Sequence, residues 1–265
     1  MNLYQIIPFL KDIITLANSK VMEIYNDDFD IVTKSDLSPL TAADLASNKI
    51  ICDGLQILNK KLLNQNLIDQ DILIISEENK NMDYNHRKQY KYAWLVDPID
   101  GTKEFIKKNG EFTTNIGLVC DNKVIFGIVG IPSQNLIYWG GINIPSVKFD
   151  SLNNIMTNIT PRNDTDPFIV VTSRSHSNQD TLNCIDKLKQ QYNNVKTVSS
   201  GSSIKMLMVA EGIANFYPRY GPTSEWDTCA AHGILKGVKM NLTDMFNNEI
   251  LYNKDNILNP FFKTN

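Results

Sequence analysis

Cysteine is scarce and scattered: Cys52, Cys120, Cys184 and Cys229 are the four in 265 residues, and no two of them stand in C-x-x-C spacing. That pattern argues against a zinc site and against a disulfide framework, and fits buried thiols in a reducing compartment. Long apolar runs are missing too. No stretch approaches the roughly 18 consecutive apolar residues of a membrane-crossing helix. The opening Met1-Asn2-Leu3-Tyr4-Gln5-Ile6-Ile7-Pro8 has neither a basic start nor a long apolar core, so a secretory leader is not expected. The expectation is a cytoplasmic protein, with peripheral contact at the inner membrane left open. Basic excess is also lacking, since 26 Lys and Arg stand against 29 Asp and Glu for a net charge of −3. Without a Lys/Arg stripe, a nucleic-acid polymer is a poor partner, whereas a small nucleotide stays possible. Internal repeats and low-complexity tracts are absent.

What is present is enough apolar material, 42% of residues, for one large domain or two smaller lobes. Leu3, Ile6, Ile7, Leu10, Ile13, Ile14, Ala17 and Val21 recur at helical spacing and predict a first amphipathic helix over 3–25. Thr41-Ala42-Ala43-Asp44 resembles a capping pattern ahead of a second helix carrying Leu45, Ile50, Ile51, Leu55 and Leu58. Short apolar runs then follow. Ile72-Leu73-Ile74-Ile75 ends in Ser76-Glu77-Glu78, and Tyr92-Ala93-Trp94-Leu95-Val96 ends in Asp97, so both read as buried strands delivering acids at their C-terminal ends. Further strands are expected at 113–120, 123–131 and 135–139, a linker at 145–167, a strand at 168–172, and helices near 177–191, 204–212 and 228–235. Alternating strands and helices predict a layered α/β fold (αβαβα) in two lobes. The N-terminal lobe, 1–150, carries most acids, and 151–265 carries Asp227.

The informative block is Trp94-Leu95-Val96-Asp97-Pro98-Ile99-Asp100-Gly101-Thr102. Proline at 98 restricts Asp97 to extended backbone and fixes its own φ, which stiffens the turn. Two carboxylates three residues apart on a stiff turn can converge on one hard cation, to which the Ile99 carbonyl adds a third oxygen. Gly101 permits close approach of a ligand, and a helix starting at 101–102 would favour an anion at its free N–H groups. Each acid alone has a plainer explanation. Asp-Pro and Asp-Gly are turn formers, Asp227 reads as an N-cap, Glu77 and Glu78 as solvated loop acids, and Asp44 as a first-turn helix acid.

Taken together, Asp97-Pro98-Ile99-Asp100-Gly101-Thr102 and Glu225-Trp226-Asp227-Thr228-Cys229-Ala230-Ala231-His232 resemble the signatures of the inositol monophosphatase superfamily of lithium-sensitive, magnesium-dependent phosphatases. The resemblance extends to Ser38 to Asp44, Ser76-Glu77-Glu78, Ser173-Arg174-Ser175-His176, Gly201 to Lys205 and Tyr217 to Thr223. It implies a sugar-phosphatase fold and a metal set of Glu77, Asp97, the Ile99 carbonyl, Asp100 and Asp227 around two Mg2+ ions, with a third, weaker one on the Glu77 side. It also implies a water oriented by Thr102 with Asp44 behind it.

Within the superfamily, Gly101-Thr102-Lys103-Glu104-Phe105-Ile106 and Asn109-Gly110-Glu111-Phe112 resemble the bacterial 3'(2'),5'-bisphosphate nucleotidases. The implied reaction is hydrolysis of the 3'-phosphate of adenosine 3',5'-bisphosphate to AMP and phosphate. The implied substrate contacts are Glu77, Gly101, Thr102, Lys103, His176, Ser202, Ser203, Lys205, Arg219 and Asp227, with Ser202 and Ser203 at a helix start suited to the second phosphate. Surface or capping roles are the alternative for the nucleotide contacts. His86 and His232 read as structural. An inositol or fructose phosphatase and a non-catalytic nucleotide or phosphate sensor are the competing functions. Oligomeric state is not encoded in any of these motifs.

Overall fold

The computed structural model describes residues 2–27, 31–33, 39–79, 82–174 and 178–265. A one-turn 3-10 helix leads into α1 (Ile7–Asn26), and β1 (Ile31–Thr33) pairs with β2 (Pro39–Thr41) before α2 (Ala42–Asn64). Seven strands then form the main sheet in sequence order: β3 (Leu73–Ser76), β4 (Tyr92–Asp100), β5 (Thr113–Cys120), β6 (Lys123–Ile131), β7 (Leu136–Gly141), β8 (Ile144–Asp150) and β9 (Ile155–Asn158). Two short helices, α3 (Tyr84–Arg87) and α4 (Thr102–Ile106), flank β4. Only β3 runs parallel to its neighbour, and β4 to β9 form an antiparallel meander.

Both faces of this sheet are covered, which is why its central strands read as continuous apolar runs. On one face Leu10, Ile14, Ile51 and Leu55 of α1 and α2 pack with Trp94, Ile116, Leu118 and Phe126. A buried amide locks that layer, with Trp94 Nε1 donating to Asn59 Oδ1 at 3.0 Å and Asn59 Nδ2 donating to the Ile72 carbonyl at 2.7 Å.

On the other face lie α6 (Ile204–Ala210) and α7 (Glu225–Gly237), whose Met206, Val209, Ala230 and Ile234 meet Leu95, Val119, Val129 and Tyr138. Beyond them, β10 (Phe168–Ser173) and β11 (Val195–Ser200) form a parallel two-stranded sheet joined through α5 (Gln179–Gln191). The strands β12 (Pro218–Arg219), β13 (Leu242–Asp244) and β14 (Phe262–Thr264) form a small three-stranded sheet. The αβαβα layering matches the expectation.

One expectation is corrected. Residues 145–167 are not a linker throughout, because β8 and β9 lie inside them and extend the main sheet. The division at 150/151 falls in the turn between these two paired strands. The last helix begins at Glu225 with Ser224 as its cap, so the plainer N-cap alternative for Asp227 does not apply: it is the third helical residue, whose carboxylate accepts the Ser224 N–H at 2.8 Å.

Helix α7 lies unusually low on the sheet. A methyl on Gly127 would sit 1.8 Å from the Ala230 carbonyl oxygen, and one on Gly233 would sit 2.4 Å from the Gly127 nitrogen. Bare backbone on each side lets helix and sheet touch, and that contact sets the height at which Asp227 is presented. Gly127→Ala is expected to lower unfolding free energy by roughly 3 kcal/mol, because the clash is with backbone that cannot move aside. Urea unfolding at neutral pH checks it. A loss within error of zero would show that the helix rides freely on the sheet.

His232 on α7 is fully buried, with Nδ1 2.9 Å from the Tyr252 hydroxyl and Nε2 2.7 Å from Asn241 Oδ1. Burial pushes its pKa down to about 4, while Glu249, 4.0 Å away, is engaged by Lys236 at 2.6 Å. The imidazole is therefore neutral and structural, as expected. Because the folded pKa lies below the unfolded one, this contribution is complete above about pH 6.5 and is lost as pH falls toward 4, amounting to roughly 3 kcal/mol. His232→Gln should flatten the fall of the unfolding midpoint between pH 6.5 and 4. An unchanged slope would contradict the assignment.

Candidate active site

The acids arrive from three elements. Strand β3 ends at buried Ser76, whose hydroxyl donates to Asn48 Oδ1 at 2.7 Å, and Glu77 opens the 3-10 turn that follows. Strand β4 carries Asp97, Pro98, Ile99 and Asp100 in succession. Asp97 faces Asn115 and Asp100 faces Thr113, with the regular pairing broken between them, where Pro98 has no N–H to give. The Pro98 carbonyl accepts from Ser47 Oγ at 2.9 Å, which ties the irregular turn to α2. Gly101 then takes φ +91°, a left-handed conformation that turns the chain into α4. Asp227 descends from α7.

Asp97 is buried, and its Oδ1 has no hydrogen-bond partner. Burial, then the charges of Glu77, Asp100, Asp227 and Asp44, raise its pKa well above the carboxylate range. Burial likewise holds Asp227 up to about 8, with Asp100 adding to the shift, and Asp100 up to about 6 against the pull of Lys205. Among the described residues, no group of three or more His, Cys, Asp or Glu side chains is gathered tightly enough to hold a metal ion by itself. The acids are gathered in an open arrangement, close enough to shift one another's protonation. Orphaned Asp97 Oδ1, several carboxylates in one field and a neighbouring backbone carbonyl make an all-oxygen donor set that fits a hard divalent cation.

Behind the acids, Asp44 is buried and its carboxylate is well defined. Its Oδ2 accepts from the Thr41 N–H at 2.8 Å and the Thr41 hydroxyl at 2.6 Å. Its Oδ1 faces the Thr102 hydroxyl at 3.3 Å, and that hydroxyl is also 3.3 Å from the Ile99 carbonyl. Thr102 thus stands between two acceptors, with its own lone pairs left for a donor in the cleft. Both contacts are long, as catalytic hydrogen bonds often are before substrate binds.

The cleft has a cavity volume of about 260 Å3. Of the expected substrate contacts, Glu77, Gly101, Thr102, Lys103, Ser202, Lys205, Arg219 and Asp227 line it; of the other expected site residues, Asp100 lines it, whereas Asp44, Asp97 and the Ile99 side chain do not. Ser203 does not line it: it is buried, with its hydroxyl 2.8 Å from Thr113 Oγ1 and 2.8 Å from Asn115 Oδ1, so its side chain braces the wall. His176 lies outside the described residues, as do Ser38 and Ser175. Lys205 and Arg219 are both buried, and burial lowers the Lys205 pKa to about 8 although Asp100 pulls it upward. Arg219 Nη2 donates to the Pro222 carbonyl at 3.2 Å, and its Nε has no partner.

Sequence reasoning missed Tyr217 and Phe262 among the lining residues, and the part played by Thr41 behind the cleft. Tyr217, whose hydroxyl contacts Arg219, stood in a motif already singled out, but only its arginine was given a role. Thr41, which fixes Asp44, was recognised only as a cap. Phe262 comes from the far C-terminal strand, and no local pattern announces it.

A cleft that brings acids and buried cations together, in an αβαβα frame, defines a phosphoester-binding protein by fold and site. The chain belongs to the inositol monophosphatase family, whose model matches residues 2–261. It is 37% identical over 250 residues to 3'(2'),5'-bisphosphate nucleotidase CysQ of Escherichia coli (strain K12), covering 93% of this chain and 94% of that one. The CysQ nucleotidase of Buchnera aphidicola is 37% identical over 223 residues, 83% of this chain and 77% of that protein. The crystal structure of CysQ from Bacteroides thetaiotaomicron superimposes with a TM-score of 0.83 at 34% identity, over 99% of this chain and 98% of the other. An inositol monophosphatase of Thermotoga maritima shares the fold at 17% identity, with a TM-score of 0.73 over 97% of this chain and 90% of that one. Among the described residues, no helix is long and apolar enough to cross a membrane.

Proposed function

We propose that this chain is a magnesium-dependent 3'(2'),5'-bisphosphate nucleotidase that hydrolyses the 3'-phosphate of adenosine 3',5'-bisphosphate to AMP and phosphate. The observation that carries the reading is the shared cleft. Lys205 and Arg219 line the same cavity as Glu77, Asp100 and Asp227, so a second phosphate finds buried positive charge beside the acids. A sugar carrying a single phosphate leaves that charge unused.

Glu77, Asp97, the Ile99 carbonyl, Asp100 and Asp227 would hold two magnesium ions, and a third, weaker one belongs on the Glu77 side. Magnesium bound there would supply Lewis acidity toward the attacking water and toward charge on the phosphoryl oxygens. The chain's own part is positioning. Thr102 accepts a hydrogen bond from the water while its own proton is directed to Asp44, which orients the water's lone pair at phosphorus. The new P–O bond forms as the bond to the ribose 3'-oxygen breaks in line, and the proton that the attacking water gives up is balanced by the one that oxygen takes up, through solvent, as it leaves. Lys205 and Arg219 hold the retained 5'-phosphate.

The test is phosphate release with magnesium from adenosine 3',5'-bisphosphate, inositol 1-phosphate and fructose 1,6-bisphosphate in parallel. The nucleotide is expected to have the highest kcat/KM. Preference for either sugar phosphate would sink the nucleotidase reading, and no turnover of any of the three would favour a non-catalytic phosphate-binding role.

A further inference from the structure

The cleft lies where the main sheet meets the β10–β11 sheet, and one carboxylate sits on that joint. Glu111 stands in the loop leading into β5. Its Oε1 accepts from Arg174 Nη2 at 2.6 Å, and its Oε2 accepts from Arg174 Nε at 2.8 Å, a two-pronged charge-assisted contact. The same Oε2 accepts the Gly201 N–H at 2.8 Å. Arg174 directly follows β10 and Gly201 directly follows β11, and Arg174 Nη2 also donates to the Ser199 carbonyl at 3.1 Å. One side chain of the main-sheet lobe therefore holds the ends of both strands of the other sheet. The backbone closes in the same place, since a methyl on Gly101 would lie 3.0 Å, and one on Gly201 2.7 Å, from the Glu111 carbonyl oxygen.

This joint touches two stretches that line the cleft, at Gly101 and at Gly201. On one side is the acid turn, 97–102. On the other is Ser202, held at φ +44° with its hydroxyl 3.2 Å from Thr113 Oγ1, and the amine of Lys205 donates to the Ser202 carbonyl. An exposed ion pair is ordinarily worth little, and the Arg174 side chain is half exposed. Here the pair controls geometry, because the Glu111 carboxylate also holds the backbone from which Ser202 and Lys205 hang. Hydrogen bonding from Arg174 keeps the Glu111 carboxyl below the usual range, so the contact stays charged at neutral pH.

We infer that Glu111 and Arg174 form a positioning pair that fixes the distance between the acid turn and the Ser202–Lys205 wall, and so selects nucleotides with a second phosphate over those carrying only the scissile one. The inference rests on the nucleotidase reading. A bisphosphate spans both walls and feels their separation, whereas a 3'-monophosphate engages the acid turn alone.

The test compares Glu111→Gln, Arg174→Ala and Arg174→Lys with the unmodified chain, using magnesium with adenosine 3',5'-bisphosphate and, separately, adenosine 3'-monophosphate. Glu111→Gln and Arg174→Ala are expected to raise KM for the bisphosphate about tenfold, while kcat and both constants for the monophosphate stay within about twofold. Arg174→Lys should recover part of the loss. Equal losses on both nucleotides, or no loss on either, would overturn the pair's role. Preference of the unmodified chain for inositol 1-phosphate would instead overturn the nucleotidase reading, and the pair's selectivity with it. An intact nucleotide preference with indifferent variants overturns the pair alone.

Discussion

Asp97→Asn is expected to lower phosphate release on the order of a thousandfold at saturating nucleotide and ordinary magnesium, while the protein keeps its fold and its unfolding midpoint. The amide matches the carboxylate in size, so packing around β4 is preserved. What changes is charge at an acid that is buried, with an unpartnered oxygen and the field of Glu77, Asp100, Asp227 and Asp44 upon it. A purely structural carboxylate would have donors around it, and its loss would cost stability. Asp97 is the reverse case, because neutralising it relieves repulsion, and the midpoint without divalent ion should hold or rise. Thermal unfolding with and without magnesium gives the second measurement. Magnesium is expected to raise the midpoint of the unmodified chain and to do so less for the variant. Near-normal turnover, or a full magnesium shift in the variant, would refute the metal assignment.

The acid site was more legible in the sequence than its surroundings, for a physical reason. Buried strands and a stiff Asp-Pro turn are local signals, so the arrival of Asp97 and Asp100 at a strand end could be read from neighbouring residues. Thr41 and Asp44 were readable in the same way, since a capping pattern spans only four positions. The polar edge was not readable. All four residues of β9 are exposed, so no alternation of buried and exposed positions marks it as a strand, and its Asn- and Thr-rich surroundings suggest a linker. Strand β11 was missed likewise, having one buried residue, Ser200, among its six.

Ser203 shows the limit of motif reasoning. Its place beside Ser202 suggested a shared ligand, but Ser202 adopts a left-handed backbone and turns its neighbour inward toward Thr113 and Asn115. Glu111 and Arg174 are 63 positions apart, and only the meeting of two sheets brings them together. Long-range electrostatics of this kind has no period for a sequence to display.

Thr102→Val is expected to reduce kcat by about a hundredfold or more, with KM for the nucleotide little changed. The substitution keeps the β-branched shape at the start of α4 and removes the hydroxyl alone. That hydroxyl touches no residue whose packing would collapse, since its contacts are the Asp44 carboxylate and the Ile99 carbonyl, each 3.3 Å away. Its loss should therefore appear in the chemical step and not in stability. Asp44 is anchored by two contacts from Thr41, so Asp44→Asn leaves a side chain of the same size in place but turns an acceptor for the Thr102 proton into a possible donor. If the two residues act as one unit on the attacking water, the double variant should be no slower than the slower single variant within about twofold. Independent, multiplying losses would show that Asp44 acts only by capping α2. A Thr102→Val enzyme with normal kcat would remove the water-positioning role altogether.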